Sequence, residues 1–228
     1  MRVVALIPAA GRGRRMGADR PKAFLLLRGL PLLVHTLQKF EDCPTVNEIL
    51  PLVPDEEVSF CRELVFRTGL KKVPKVLSGG PERQDSVYAG LKGIAGDADV
   101  VMIHDGARPF VPGQLIEKVL AATERWPAVA AALPVGDTLK EVSADGQVLR
   151  TLDRSRFWVM QTPQSFRYDL ITRAHEQART EGFCGTDDAS LVERLGIRVM
   201  VIPGSRFNIK ITTPEDLVLG EALLEHRE

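Results

Sequence analysis

Short apolar runs alternate with stretches of helical periodicity along the whole chain. Val3–Ile7, Ile49–Val53, Val73–Leu77, Val100–Ile103, Val129–Leu133 and Val199–Ile202 read as short buried strands. Pro51 falls inside the second run and predicts a local irregularity there. Between the runs, apolar residues recur with a helical period. Pro31 opens one helix, with Leu33, Leu37 and Phe40 at i, i+4 and i+7. Asp55 is placed to cap the next. Val87, Leu91 and Ile94 mark a third helix, and Ile116, Val119 and Leu120 a fourth. Strand–helix alternation predicts an α/β fold: a Rossmann-like, mostly parallel sheet with helices on both faces. Ligands of such sheets sit beyond the carboxyl ends of the strands.

Thr138 to Met160 breaks the alternation. Short apolar–polar stretches flank a turn at Ala144-Asp145-Gly146, the pattern of a β-hairpin arm. A lone two-stranded arm is marginal in water. It is therefore expected to lie across a second subunit. The organisation expected is one domain over residues 1–228, with an arm at 136–160.

The bulk composition narrows the function. Lys+Arg and Asp+Glu are equal at 30 each, so the chain lacks the basic excess of a general nucleic-acid binder. Cys43, Cys61 and Cys184 are odd in number and widely spaced, as expected of reduced thiols in the cytoplasm. No signal-peptide pattern opens the chain, and no run approaches the roughly 18 apolar residues of a membrane span. A soluble cytoplasmic protein is the expectation.

The candidate chemistry begins where the first strand ends. Pro8-Ala9-Ala10-Gly11-Arg12-Gly13-Arg14-Arg15-Met16 is followed by Pro21-Lys22. Small residues let a backbone approach an anion with its N–H groups, and Arg14, Arg15 and Lys22 add positive charge. The spacing matches neither the dinucleotide fingerprint nor the P-loop, because Met16 stands at the third glycine position and no glycine–lysine pair has the right register. A nucleoside triphosphate is the ligand this loop suits. His104-Asp105-Gly106-Ala107-Arg108-Pro109 follows Val100–Ile103. A carboxylate at that strand end is placed to hold Mg²⁺ on phosphate oxygens, whereas His104 reads as a hydrogen-bonded structural residue. Gly79-Gly80-Pro81-Glu82-Arg83-Gln84-Asp85-Ser86 enters a helix N-terminus, which favours anions and polar ligand edges. Thr186-Asp187-Asp188 reads as a helix cap. Lys210, in Asn208-Ile209-Lys210-Ile211-Thr212, reads as part of a solvated face.

Taken in order, these segments resemble the 2-C-methyl-D-erythritol 4-phosphate cytidylyltransferases over essentially the full length. Asp137-Thr138, Asp153-Arg154 and Gln161-Thr162-Pro163-Gln164 belong to the same set. The resemblance implies transfer of CMP from CTP to the sugar-alcohol phosphate, with release of pyrophosphate. It implies that Ala9, Ala10, Gly11 and Gly13 contact CTP, with Gly80, Arg83 and Ser86 around its base and ribose. Arg15, Lys22 and Lys210 would stabilise the α-phosphate in flight. Asp105 would bind substrate or Mg²⁺, and Arg108, Thr162 and Thr186 would line the acceptor side. Thr138 and Arg154 would come from the arm of the other subunit of a homodimer. Ala23 and Pro81 depart from the usual pattern of these proteins. The loop motifs are shared with ribitol-5-phosphate cytidylyltransferases and, more distantly, with sugar-1-phosphate nucleotidyltransferases. Arg15, Lys22 and Asp105 together argue against a non-catalytic nucleotide-binding regulator.

Overall fold

The computed structural model describes residues 1–11 and 21–225. In chain order its elements are β1 (Val3–Pro8), β2 (Leu26–Leu27), β3 (Leu30–Pro31), α1 (Leu32–Glu41), β4 (Glu48–Val53), α2 (Val58–Thr68), β5 (Leu77–Ser78), α3 (Arg83–Gly93), β6 (Val100–Ile103) and α4 (Gly113–Thr123). They continue with β7 (Ala128–Pro134), β8 (Leu139–Val142), β9 (Val148–Leu152), β10 (Trp158–Arg167), α5 (Tyr168–Thr180), α6 (Asp188–Arg194), β11 (Met200–Pro203) and α7 (Pro214–Glu225). Among the described residues, seven strands form one sheet in the order β11-β7-β10-β6-β1-β4-β5. All neighbours are parallel except β10, which runs antiparallel to both β6 and β7.

The alternation of β1 divides the core. Val3, Ala5 and Ile7 pack with Leu33, Leu37 and Phe40 of α1 and with Ile116 and Val119 of α4. Val4 and Leu6 face the opposite way, towards Val87 and Leu91 of α3 and Ile171 of α5. Successive side chains of a strand point to opposite faces, so one apolar run serves two helical layers. Among the described residues, no helix is long and apolar enough to cross a membrane.

Three expectations need correction. Val73–Leu77 is not a strand; only Leu77–Ser78 pairs, beside Leu52 and Val53. Val73 and Val76 are instead buried as loop residues. Pro51 causes no irregularity, for it pairs in register with Ile7. Its missing N–H falls on the side where Ile49 N–H reaches Lys72 O and Val53 O accepts from Gly79, before β5 has begun. Asp55 forms no side-chain cap; it opens a short 3₁₀ turn that leads into α2.

The arm is also shorter than the sequence predicts. β8 and β9 pair in a separate two-stranded sheet, but Trp158–Met160 belong to β10 in the central sheet. The hairpin leaves Val142, Val148 and Leu149 exposed, and Phe157, Trp158 and Val159 beside its base are exposed too. β10 was missing from the strands expected from the sequence. Its Gln161-Thr162-Pro163-Gln164 segment interrupts the apolar pattern, and the register with β7 shifts between Met160 and Gln164.

Phe166 is fully buried in β10, packed in the layer that contains Val101 and Ile171. Phe166→Ala should lower unfolding free energy by about 3–5 kcal/mol, the usual cost of deleting a buried aromatic ring. Urea unfolding followed by far-UV circular dichroism measures it; a loss under about 1 kcal/mol would place β10 outside the cooperative core.

Candidate active site

The site gathers at the carboxyl ends of β1, β5 and β6. Ala9 N–H donates to Leu52 O at 2.7 Å and ties the start of the first loop to β4. Gly79 and Gly80 let the second loop close on the first. A Cβ on Gly79 would lie 2.6 Å from Ala10 Cβ, and one on Gly80 would collide with Asp85. Ser86 is buried in the first turn of α3. Its Oγ accepts from Gly80 N–H at 3.0 Å and donates to Glu82 O at 3.1 Å, so the hydroxyl fastens this loop. Gly11 differs: a Cβ there would meet no described atom within 4 Å. Among the described residues no packing demands glycine at that position, which lines the cleft.

These loops enclose a cleft of about 170 Å³ lined by Ala9, Ala10, Gly11, Lys22, Gly80, Arg83, Ser86, Asp105 and Lys210. Pro81, a departure noted in the sequence, lines the same cleft; Ala23, the other, is buried beside Lys22. A second cavity of about 240 Å³ takes in Arg108, Thr162 and Thr186, and it shares Arg83, Asp105 and Lys210 with the first. Those three side chains stand where the two spaces meet.

Asp105 organises the junction. Arg83 Nε donates to its Oδ1 at 3.0 Å, while Lys210 Nζ and Arg108 Nε approach Oδ2 at 2.9 and 3.4 Å. Burial alone would push the Asp105 carboxyl up, but Arg83, Lys210 and Arg108 outweigh it and hold the group well below the usual carboxylate range. Lys210 is thus paired with Asp105 and is not part of an unpartnered solvated face.

His104 is fully buried. Its Nε2–H donates to Arg108 O at 3.1 Å, and Nδ1 faces Thr162 Oγ1 at 3.0 Å. Thr162 Oγ1 accepts the Asp105 N–H at 3.0 Å and so turns its own proton to Nδ1. Burial pushes the His104 imidazole down to about 4. It is a neutral scaffold for the Asp105 loop, as the sequence reading expected. Cys61 is no nucleophile, since burial and Glu57 push its thiol up to about 12.

The remaining expected residues divide. Arg15 and Gly13 lie outside the described residues. Thr138 and Arg154 are exposed on the arm segment and line neither cavity; Arg154 Nη1 donates to Gly136 O at 2.6 Å. One charged residue escaped sequence reasoning. Asp187 is the helix cap expected there, accepting from Ser190 N–H at 2.9 Å. Asp188 turns inward and takes Arg83 Nη1 at 2.7 Å. The available signal was two consecutive aspartates where a cap needs one.

Among the described residues, no cluster of three or more His, Cys, Asp or Glu side chains could hold a metal ion. The single carboxylate of Asp105 does not make a protein cage. It fits a divalent cation that arrives on phosphate oxygens, because Mg²⁺ commonly takes one or two carboxylates beside substrate phosphates.

The family model for 2-C-methyl-D-erythritol 4-phosphate cytidylyltransferase matches residues 3–226. The chain belongs to this family. A relative of that name in Syntrophus aciditrophicus is 48% identical over 228 residues, covering 100% of this chain and 97% of the relative. One in Geotalea uraniireducens is 51% identical, covering 99% and 97%. The crystal structure of the cytidylyltransferase from Thermus thermophilus superposes with a TM-score of 0.82 at 39% identity, covering 99% of this chain and 100% of that one. The 4-diphosphocytidyl-2C-methyl-D-erythritol synthase of Anaerococcus prevotii gives 0.88 at 30% identity, covering 98% and 96%. The chain is accordingly a nucleotidyltransferase with the cytidylyltransferase activity of its family.

The buried His104 yields a pH prediction. Its imidazole titrates near 4 when folded and near 6.5 when unfolded. As pH falls through that window the unfolded chain takes up a proton the folded one refuses. Stability is therefore full above about pH 6.5 and declines towards pH 4, by up to about 3 kcal/mol from this group. Urea midpoints at pH 7 and pH 4.5 should show the decline, and His104→Asn should flatten it. An unchanged slope in His104→Asn would assign the loss to other groups.

Proposed function

We propose that CMP transfer from CTP to 2-C-methyl-D-erythritol 4-phosphate takes place where the two cavities meet, with CTP in the glycine-lined cleft and the acceptor in the second cavity. One observation carries this reading: Arg83, Asp105 and Lys210 line both spaces. An acceptor phosphate oxygen attacks the α-phosphorus of CTP. The new P–O bond forms as the bond to the β-phosphate oxygen breaks, and pyrophosphate leaves. A phosphate monoester is already largely ionised at neutral pH, since its second pKa is about 6. No general base is required. The chain has to bring two polyanions together and neutralise the charge that builds between them.

Ala9, Ala10, Gly11 and Gly13 hold the triphosphate through backbone N–H groups, and Gly80, Arg83 and Ser86 bound the nucleoside end. Arg15, Lys22 and Lys210 stabilise the α-phosphate in its five-coordinate state. Arg108, Thr162 and Thr186 receive the acceptor. Asp105 orients Lys210 and is the side chain that would hold Mg²⁺ at this junction. When bound, that ion supplies charge neutralisation to the triphosphate. The enzyme works in the cytoplasm, a reading supported by three free cysteines. It works as a homodimer whose arms cross, so that Thr138 and Arg154 reach the acceptor of the opposite subunit. The exposed Val142, Val148 and Leu149 of the hairpin support that arrangement.

The direct test is pyrophosphate release with each nucleoside triphosphate, against 2-C-methyl-D-erythritol 4-phosphate and ribitol 5-phosphate. CTP with the former should give the dominant rate, and the rate should vanish with a chelator. No release with that pair would reject the assignment. Lys22→Ala and Arg15→Ala should each lower kcat by about 10²–10³, the usual loss for one transition-state donor. Near-normal turnover removes the residue from the catalytic set.

Arm exchange has its own test. Arg154→Ala should raise KM for the acceptor far more than for CTP. Mixed with Lys22→Ala chains, about half of the reassorted dimers are heterodimers. Each has one doubly defective site and one intact site, so about a quarter of wild-type sites should reappear. No recovery after demonstrated exchange would mean that Arg154 acts within its own chain.

A further inference from the structure

Behind Arg83 lies a polar chain that the transfer reaction itself does not use. His175 of α5 is fully buried, and its Nε2 donates to Asp188 Oδ1 at 3.1 Å. The other Asp188 oxygen receives Arg83 Nη1 at 2.7 Å, and Arg83 Nε passes on to Asp105 at 3.0 Å. One guanidinium is thus shared between two buried carboxylates. Tyr88 stacks beside the imidazole, with ring centroids 6.5 Å apart, and the Arg179 guanidinium covers the Tyr88 ring. His175 Nδ1 and Arg83 Nη2 are buried without a hydrogen-bond partner among the described residues. Burying a histidine with half its hydrogen-bonding capacity unmet costs stability. An apolar side chain at this position would avoid that cost but would leave Asp188 Oδ1 without its donor, so the imidazole serves Asp188 rather than packing.

We infer that His175 is a positioning residue for the acceptor side of the site, acting through Asp188 on Arg83. This rests on the proposed transfer reaction. The His175 donor fixes the plane of the Asp188 carboxylate, so that Oδ2 faces Arg83. Asp188 in turn holds back Nη1, leaving Arg83 only its Nε for Asp105. Without that restraint the guanidinium is free to turn until Nε and the unpartnered Nη2, which share one edge, both meet Asp105 in the forked geometry arginine prefers. Arg83 would then leave its place at the mouth of the acceptor cavity. Thr186 and Asp187, which immediately precede Asp188, line that cavity as well. The glycine loops that bound the nucleotide cleft are held separately, through Ser86 and Leu52. Arg83 lines the nucleotide cleft too, so the effect is directional in degree: the acceptor side, where Thr186 and Asp187 depend on Asp188 as well, is affected more.

Two variants of His175 separate positioning from packing. His175→Leu fills the space without a donor, and His175→Gln keeps an N–H able to reach Asp188. KM for the acceptor should rise about tenfold in His175→Leu, the order expected when a buried charged group loses a hydrogen bond. KM for CTP, whose cleft Arg83 also lines, should rise several-fold less, and His175→Gln should recover most of the loss. The second readout needs no substrate. In ¹⁵N-labelled protein the Arg83 Nε–H resonance, assigned by its absence from Arg83→Lys, should move to the exposed-arginine position in His175→Leu and return in His175→Gln. An unmoved resonance with wild-type acceptor KM overturns the inference. So does a parallel rise of both KM values in the two variants. If His175→Leu does not fold, Asp188→Asn decides alone: a moved resonance with a selective rise in acceptor KM supports the inference, and neither change refutes it. An inactive wild-type enzyme would reject the transfer reaction while the resonance still reports on Arg83.

Discussion

The constraint on which the rest of this structure depends is the ionised carboxylate of Asp105, buried at the carboxyl end of the central sheet. A buried charge is costly unless it is paired and hydrogen-bonded. Here the pairing comes from three separate parts of the chain. Arg83 arrives on the first turn of α3, Arg108 on the loop after β6, and Lys210 on the segment after β11. Each segment has to be delivered to one point within about 3 Å. The loops that shape the cleft follow from that convergence.

The antiparallel strand β10 makes the convergence possible. It lies between β6 and β7 and breaks register between Met160 and Gln164. The irregular stretch turns Thr162 under the Asp105 backbone and presents its carbonyl to Asn208 Nδ2 at 2.7 Å. Asn208 is buried, and its own carbonyl accepts Arg108 Nη1 at 2.7 Å. Gln161 ties Ser205 through both ends of its amide, at 2.9 and 3.2 Å. A strand too polar to read as core is what anchors the C-terminal segment and carries Lys210 to Asp105.

This explains what the sequence disclosed and what it hid. The strands β1, β4 and β6 were legible because burial on both faces demands continuous apolar runs such as Val3–Ile7. The glycine loop was legible because small residues beside cations have few other uses. β10 was hidden because its function in the site replaces apolar residues with Gln161, Thr162 and Gln164. Lys210 looked solvated because its partner is 105 positions away in the chain. Asp188 and His175 were hidden for the same reason: side-chain pairing across the fold leaves no periodic trace. The arm was legible as a hairpin, yet its end ran into β10 without a turn signal at Trp158.

The three cations around Asp105 are not equivalent, and their differences suit a reaction between polyanions. Arg108 is 12% exposed and also bound to the Asn208 carbonyl, while Arg83 is 29% exposed and pinned between Asp105 and Asp188. Lys210 is the most open, at 39%, and carries its charge on a flexible stem. If Lys210 turns towards an incoming phosphate, Asp105 keeps two guanidinium partners and stays ionised. If either arginine were to move, a buried carboxylate would lose a fixed donor at a cost of several kcal/mol. On the proposed reaction, this division leaves Asp105 a rigid pair of arginines and gives one adjustable ammonium to follow the transferring phosphoryl group. In that proposal Asp105 holds the ammonium at the junction of the two cavities, 2.9 Å away, until a more highly charged partner takes it.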